Sequence, residues 1–184
     1  MYYNPYVYPY RAPYGSGPMY SNGSQNGYWS YPQNYGYAAW PPSHDQRNIE
    51  LKDYGSNPFV VNINTATTQN NTFRTALWTG DHLQLTLMSI QPGEDIGLEI
   101  HPDVDQFLRI EQGQGFTQMG KQKDDLNFTR YVMDDSAIFI PAGTWHNLTN
   151  TGNTPLKLYS IYAPPNHPFG TVHNTKADAM AAED

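Results

Sequence analysis

No cysteine occurs among the 184 residues. That excludes disulfides, thiolate metal sites and a cysteine nucleophile. It fits a reducing compartment without requiring one. Basic residues are few: ten Lys and Arg stand against seventeen Asp and Glu, a formal net charge of -7. A chain with no basic stripe has nothing to neutralise a run of phosphates, so no nucleic-acid partner is expected. No apolar stretch approaches the roughly 20 residues needed to cross a bilayer. The N-terminus lacks a basic region followed by an apolar run, so no secretory signal is expected either. These absences point to a soluble protein with no membrane partner.

What is present divides into two textures. Residues 1–43 hold 11 of the 15 Tyr and 7 of the 15 Pro, with one charged residue, Arg11, and one β-branched aliphatic, Val7. Pro and Gly recur too often for a helical or strand period. Such a segment cannot bury enough aliphatic surface to offset its ordering entropy, so a disordered arm is expected. Its rings can stack on one another and on Pro and Arg, which also suits an adhesive or oxidatively cross-linkable arm. Deleting residues 1–43 should leave the melting temperature within about 2 °C, because a disordered segment adds little to folded stability. A larger fall in a thermal melt would mean that the arm packs on the rest of the chain.

Residues 44–56 read as a linker, with His44 in it. From residue 57 short apolar runs follow one another: "FVVNI", "FRTALWT", "HLQLTLMSI", "GLEIH", "QFLRIEQG", "GFTQMG", "LNFTRYVM", "SAIFIP", "HNLTN" and "LKLYSIYAP". Several alternate apolar with polar; Leu83, Leu85 and Leu87 share one face. Turn signals such as "QPGED", "EQGQG" and "NTGNTP" punctuate them. Ten short strands with regular turns predict an all-β antiparallel sandwich or small barrel over residues 57–175. Only the short tail, 176–184, looks helical.

The stretch "GLEIHPDVDQF" crowds metal-binding residue types into a strand and a turn. Side chains alternate along a strand, so Glu99 and His101 point the same way. After the turn, Gln106 shares a face with Leu108 and Ile110 and joins them if that face looks inward. About 40 residues on, "DSAIFIPAGTWHNLTN" places His146 just after a tight Pro141–Gly143 turn, from which it can project into a barrel mouth. His82 follows a Gly-Asp turn and reads as a surface residue. His167 and His173 lie in the loop "APPNHPFGTVHNT", which either closes one end of the barrel or holds a second metal. No Ser-His-Asp motif and no phosphate-cradling Gly loop is present.

Gly93, Glu99, His101, Gln106 and Gly113 stand at the spacing of the first motif of the cupin superfamily. Pro141, Gly143, His146 and Asn150 match the second, with Asp135 where the family has Gly. The chain thus resembles a single-domain cupin over about residues 80–165, which implies a jelly-roll barrel. In the family two His and a Glu of the first motif and a His of the second usually hold a metal. The corresponding positions here are Glu99, His101, Gln106 and His146: the first His is replaced by Glu and the Glu by Gln. Glu99, His101 and His146 still make two imidazoles and a carboxylate, the donor type of non-haem Fe(II) oxygenases. With Gln106 the set resembles in composition, not in order, that of zinc-dependent phosphomannose isomerases. The resemblance implies a divalent cation (Mn, Fe, Zn or Ni) and a small organic ligand, a sugar or carboxylate. Metal-free cupins exist, and there Glu99 is a hydrogen-bonding pocket residue; both readings stand on the sequence. The resemblance further implies a homodimer paired through sheet edges. The activity expected is isomerase-like or oxygenase-like. The alternative is a non-catalytic ligand-binding or spore-surface protein, since the Tyr-rich arm and the core resemble proteins of spore-forming bacteria. The expected place is therefore cytoplasmic or spore-associated.

Overall fold

The computed structural model describes residues 48–183. The expected arm, residues 1–43, and His44 lie outside the described residues. Among the described residues there are nine strands, β1 (Arg74–Thr79), β2 (Gln84–Ile90), β3 (Asp105–Gln112), β4 (Gln114–Gly120), β5 (Phe128–Met133), β6 (Ala137–Ile140), β7 (Trp145–Asn150), β8 (Leu156–Ala163) and β9 (Val172–His173), and two helices, α1 (Ile63–Gln69) and α2 (Lys176–Glu183). No helix among the described residues is long and apolar enough to cross a membrane.

The strands make two antiparallel sheets, ordered β6-β3-β8-β2-β1-β9 and β5-β4-β7. This is the jelly roll, as expected. Alternation sets the inner face of each strand. In β3 it is Gln106, Leu108 and Ile110, and in β7 it is His146, Leu148 and Asn150, all buried. Met88, Ile90, Leu108, Ile110, Leu148, Leu156 and Leu158 fill the space between the sheets. The aliphatic core occupies one end of that space. Towards the other end the inner face turns polar, because register places Tyr162 between Gln84 and Gln106, and Ser160 beside Thr86.

Two segments expected as strands are not regular strands. "FVVNI" leads into α1. The Asn62 side chain accepts a hydrogen bond from Thr65 N at 3.0 Å and starts the helix there. Ala66 is buried with Leu77 and Leu87, with Phe59, Val61 and Ile63 packed alongside. The face shared by Leu85 and Leu87 is therefore covered by α1 and is not the barrel interior. Lys157 of β8 donates to the Thr68 carbonyl and to Asn71 Oδ1, tying down the C-terminal end of α1. Residues 49–54 also pack here: Ile49, Leu51 and Tyr54 join this cluster, and Tyr54 N donates to Leu77 O at 2.9 Å. "GLEIH" makes only isolated bridges to β7, Asp95 with Thr149 and Glu99 with His146. Gly97, at φ 92°, inserts an extra residue between them.

The motif positions have local reasons. Asp135, where the family has Gly, sits at φ 68°. That left-handed conformation suits Gly and is tolerated by Asp. Asp135 also pairs with Arg109 across the turn. Gly143 takes φ 70° in the turn before β7, and its N–H donates to His101 O at 2.8 Å. Asn150 is 1% exposed and fully bonded. Its amide donates to Ile90 O (2.9 Å) and Thr154 O (2.8 Å) and accepts from Gly152 N (2.8 Å). Asn150→Ala strands two carbonyls and should destabilise by about 2–4 kcal/mol in urea unfolding. A loss under about 1 kcal/mol would show that water replaces the amide.

The C-terminal helix is capped reciprocally. Asp178 N donates to Thr175 Oγ1 (3.2 Å) and Thr175 N to Asp178 Oδ2 (2.9 Å). Ala179 reaches the core, and Lys176 pairs with Asp95.

Candidate metal centre

Glu99 and His146 face each other across a bridge that is closed from both sides. Glu99 N donates to His146 O at 3.0 Å, and His146 N donates to Glu99 O at 2.9 Å. That pairing fixes the two backbones, and the side chains follow. Glu99 Oε1 lies 3.2 Å from His146 Nε2 and 3.4 Å from His101 Nε2. The two imidazole rings are 5.4 Å apart. Glu99, His101 and His146 are the one group of three or more such ligands found together among the described residues, their donor atoms all within 4.8 Å of one another.

The chemistry of this cluster is one that could hold a cation. His146 Nδ1 is 2.9 Å from the Thr144 carbonyl, which can only accept, so Nδ1 carries the proton. In the neutral ring Nε2 is then a lone pair aimed at a carboxylate oxygen. Two acceptors 3.2 Å apart repel unless a proton or a metal ion lies between them. Bonds of about 2.1 Å meeting at the tetrahedral angle set donor atoms about 3.4 Å apart, close to the 3.2 and 3.4 Å seen. A carbonyl that holds the far nitrogen of a ligating His is also the usual support of such a site. Burial pushes the Glu99 carboxyl up, but hydrogen bonding and charge from His101 and His146 outweigh it and hold the group down at about 2. Glu99 is therefore ionised at neutral pH.

Gln106 stands on the inner face of β3, in register with Tyr162 of β8, and is 4% exposed. Its Nε2 donates to Ser160 Oγ at 3.0 Å, and its Oε1 is buried without a partner. The Tyr162 ring stands edge-on to His101, 5.7 Å between centroids. Gln106 thus lies one strand from the ring that contacts His101.

The other histidines separate. His82 is exposed, as a surface residue should be. His167 and His173 do not join a metal cluster among the described residues. The His167 backbone is bonded to the Gln84 side chain of β2, and its ring stands edge-on to Tyr162, 5.0 Å between centroids. Arg74, Tyr162 and His167 belong to the polar surroundings of the site, and sequence reasoning missed the first two. Arg74 is 1% exposed on β1, and its charge acts on both Tyr162 and His167. Alternation within "FRTALWT" gives no sign that its polar members point inward.

The Cupin domain profile matches residues 86–162, the paired antiparallel sheets are those of a cupin barrel, and the chain belongs to this superfamily. It is 67% identical to the uncharacterised protein YrkC of Bacillus subtilis (strain 168), over an alignment that covers 100% of both chains. It is 47% identical to the uncharacterised protein L612 of Acanthamoeba polyphaga mimivirus, covering 62% of this chain and 70% of that one. Among solved structures it is similar to BH2720 from Bacillus halodurans. That match has 69% identity and a TM-score of 0.71, and it covers 71% of this chain and 99% of that one.

Proposed function

We propose that the barrel mouth binds one divalent cation through Glu99, His101 and His146, with Gln106 beside them, and that the protein is an enzyme acting on a small oxygen-bearing molecule there. One observation carries this reading: two imidazole nitrogens converge on one ionised carboxylate oxygen, at 3.2 and 3.4 Å. When bound, the cation supplies Lewis acidity to a carbonyl or hydroxyl of the ligand, or, if iron, a centre for O₂ chemistry. The chain's own groups do the rest. Thr144 O holds His146 in one tautomer. Glu99 supplies the negative charge, and Ser160 holds the Gln106 amide on the inner face.

Two experiments test the reading. Metal analysis of protein purified without a His tag should find a divalent ion at near-stoichiometric amounts. Oxygen uptake by iron-loaded protein, against aldose–ketose interconversion by zinc-loaded protein, then separates oxygenase from isomerase. A protein that neither retains nor takes up Mn, Fe, Ni or Zn would be a metal-free ligand pocket.

A further inference from the structure

We infer that Asp105 is a positioning residue for the two imidazoles of the metal centre: its carboxylate pins the turn 141–144, and that turn holds both His101 and His146. The inference rests on the reading above in one respect, that Glu99, His101 and His146 are the ligands.

The need for a pin follows from the residues of the turn. Strand β6 pairs with β3 as far as Ile140, opposite Gln106. In that register the next pair is Pro141 with Asp105, and Pro141 has no N–H to carry the ladder on. The chain leaves the sheet there, and Gly143 turns it back at φ 70°, in the left-handed region. A residue in that region lets neighbouring N–H groups reach out to the same side. Both N–H groups are taken by the segment that runs from His101 to Asp105. Ala142 N donates to Asp105 Oδ1 at 2.8 Å, and Gly143 N donates to His101 O at 2.8 Å. One end of that segment is thus held to the turn by main chain, and the other end by a side chain.

The last residue of the turn reaches the second imidazole. Thr144 is buried, and its carbonyl lies 2.9 Å from His146 Nδ1. Three successive residues, Ala142, Gly143 and Thr144, therefore touch Asp105, His101 and His146 in that order. The bridge to Glu99 fixes the backbone of His146, but the angle of its ring depends on the Thr144 carbonyl. A shift of the turn moves the carbonyl that orients one ring and the N–H that ties the backbone of the other. Donor atoms have to be held within roughly 0.5 Å of their working places, so such a shift is felt at the ion. Asp105 is exposed. Its carboxylate makes a charge-assisted bond to the Ala142 N–H. Within reach of water, that bond adds little to folding. Its effect is read at the metal rather than in the melt.

The test uses the full-length protein and three variants. Asp105→Ala removes the pin. Asp105→Asn keeps an accepting oxygen and loses the charge. Asp103→Ala removes an equal charge from the same segment, where Asp103 is also exposed. By calorimetry Zn²⁺ should bind Asp105→Ala about tenfold more weakly than the parent, the lower end for loss of a group that orients ligands. Asp105→Asn should stay within about threefold of the parent, since the hydrogen bond survives. Asp103→Ala should stay within about twofold, because an exposed charge is screened. The visible absorption of the Co²⁺-loaded protein reports the angles between its ligands. It should change in Asp105→Ala and return to the parent's form in Asp105→Asn. All melting temperatures should lie within about 3 °C of the parent's. The inference is overturned if Asp105→Ala binds Zn²⁺ as the parent does, or if Asp105→Asn or Asp103→Ala is as weak as Asp105→Ala. It is also overturned if Asp105→Ala melts lower with its Co²⁺ absorption unchanged, the mark of a merely structural residue. If the parent binds no Zn²⁺, the metal reading falls, and the pin is judged by ¹⁵N NMR of the metal-free protein. Faster exchange of the Gly143 N–H and a mixed His146 tautomer in Asp105→Ala, both restored in Asp105→Asn, uphold it; any other result overturns it.

Discussion

Metal-stripped His146→Ala should bind Mn, Fe, Ni or Zn at least tenfold more weakly than the parent, a rough figure from the losses seen when ligands or their supports are removed. His146 is buried, its far nitrogen is held by Thr144 O, and it bridges to Glu99 through both backbones. An alanine leaves that frame intact and removes only the donor. His101→Ala should behave alike, because its Nε2 faces the same carboxylate oxygen. Glu99→Gln keeps the shape but loses the sole formal charge of the set, and should weaken binding by a similar factor. Gln106→Glu should retain or tighten binding, since a second negative charge attracts the ion directly. Titration calorimetry of the five forms checks all of this together. Unchanged affinity in both His variants would place the ion elsewhere.

The second large effect is on acid stability. The unfolded chain takes a proton on His167 near the usual imidazole value of about 6.5. The folded protein leaves it neutral down to about 3, through burial first and then the charge of Arg74; His101 and His173 add to that push, and Glu99 opposes it. Between those two values the unfolded state binds more protons, so stability falls as the pH falls. By pH 5 the loss from this residue should reach about 1–2 kcal/mol, the lower figure allowing for the partial exposure of the ring. His167→Ala should therefore lose less stability than the parent between pH 7 and pH 5 in urea unfolding. Parallel curves for the two proteins would mean that the folded state protonates His167 freely. The Gln84 clamp acts on the backbone of residue 167, so it survives in the variant.

Much of the site is local, and local features can be read along the chain. Alternation puts Glu99 and His101 on one side, and the Pro141–Gly143 turn aims β7 so that His146 looks inward. The Asp135 position reads as a turn because the left-handed region admits few residue types, and Asp is one of them. Helix α1 was harder to read. It is seven residues long and rich in β-branched Ile and Thr, which favour strands. Its start lies in the Asn62 cap, and its stability comes from burying Ala66 and its neighbours on the outer sheet face.

The amino-acid order alone established the class of fold, the turn-bounded strands, the absence of thiol chemistry and the residues worth watching near the barrel mouth. Each depends on contacts a few positions apart. Only folding decided that Glu99 meets His146, 47 residues away, and that Gln106 is tied to Ser160, 54 away. It also decided that His167 is held by Gln84 across 83 residues. Such meetings depend on which strands pair and in what register. A slip of one residue would turn every inward donor to the opposite face, and no local pattern records it.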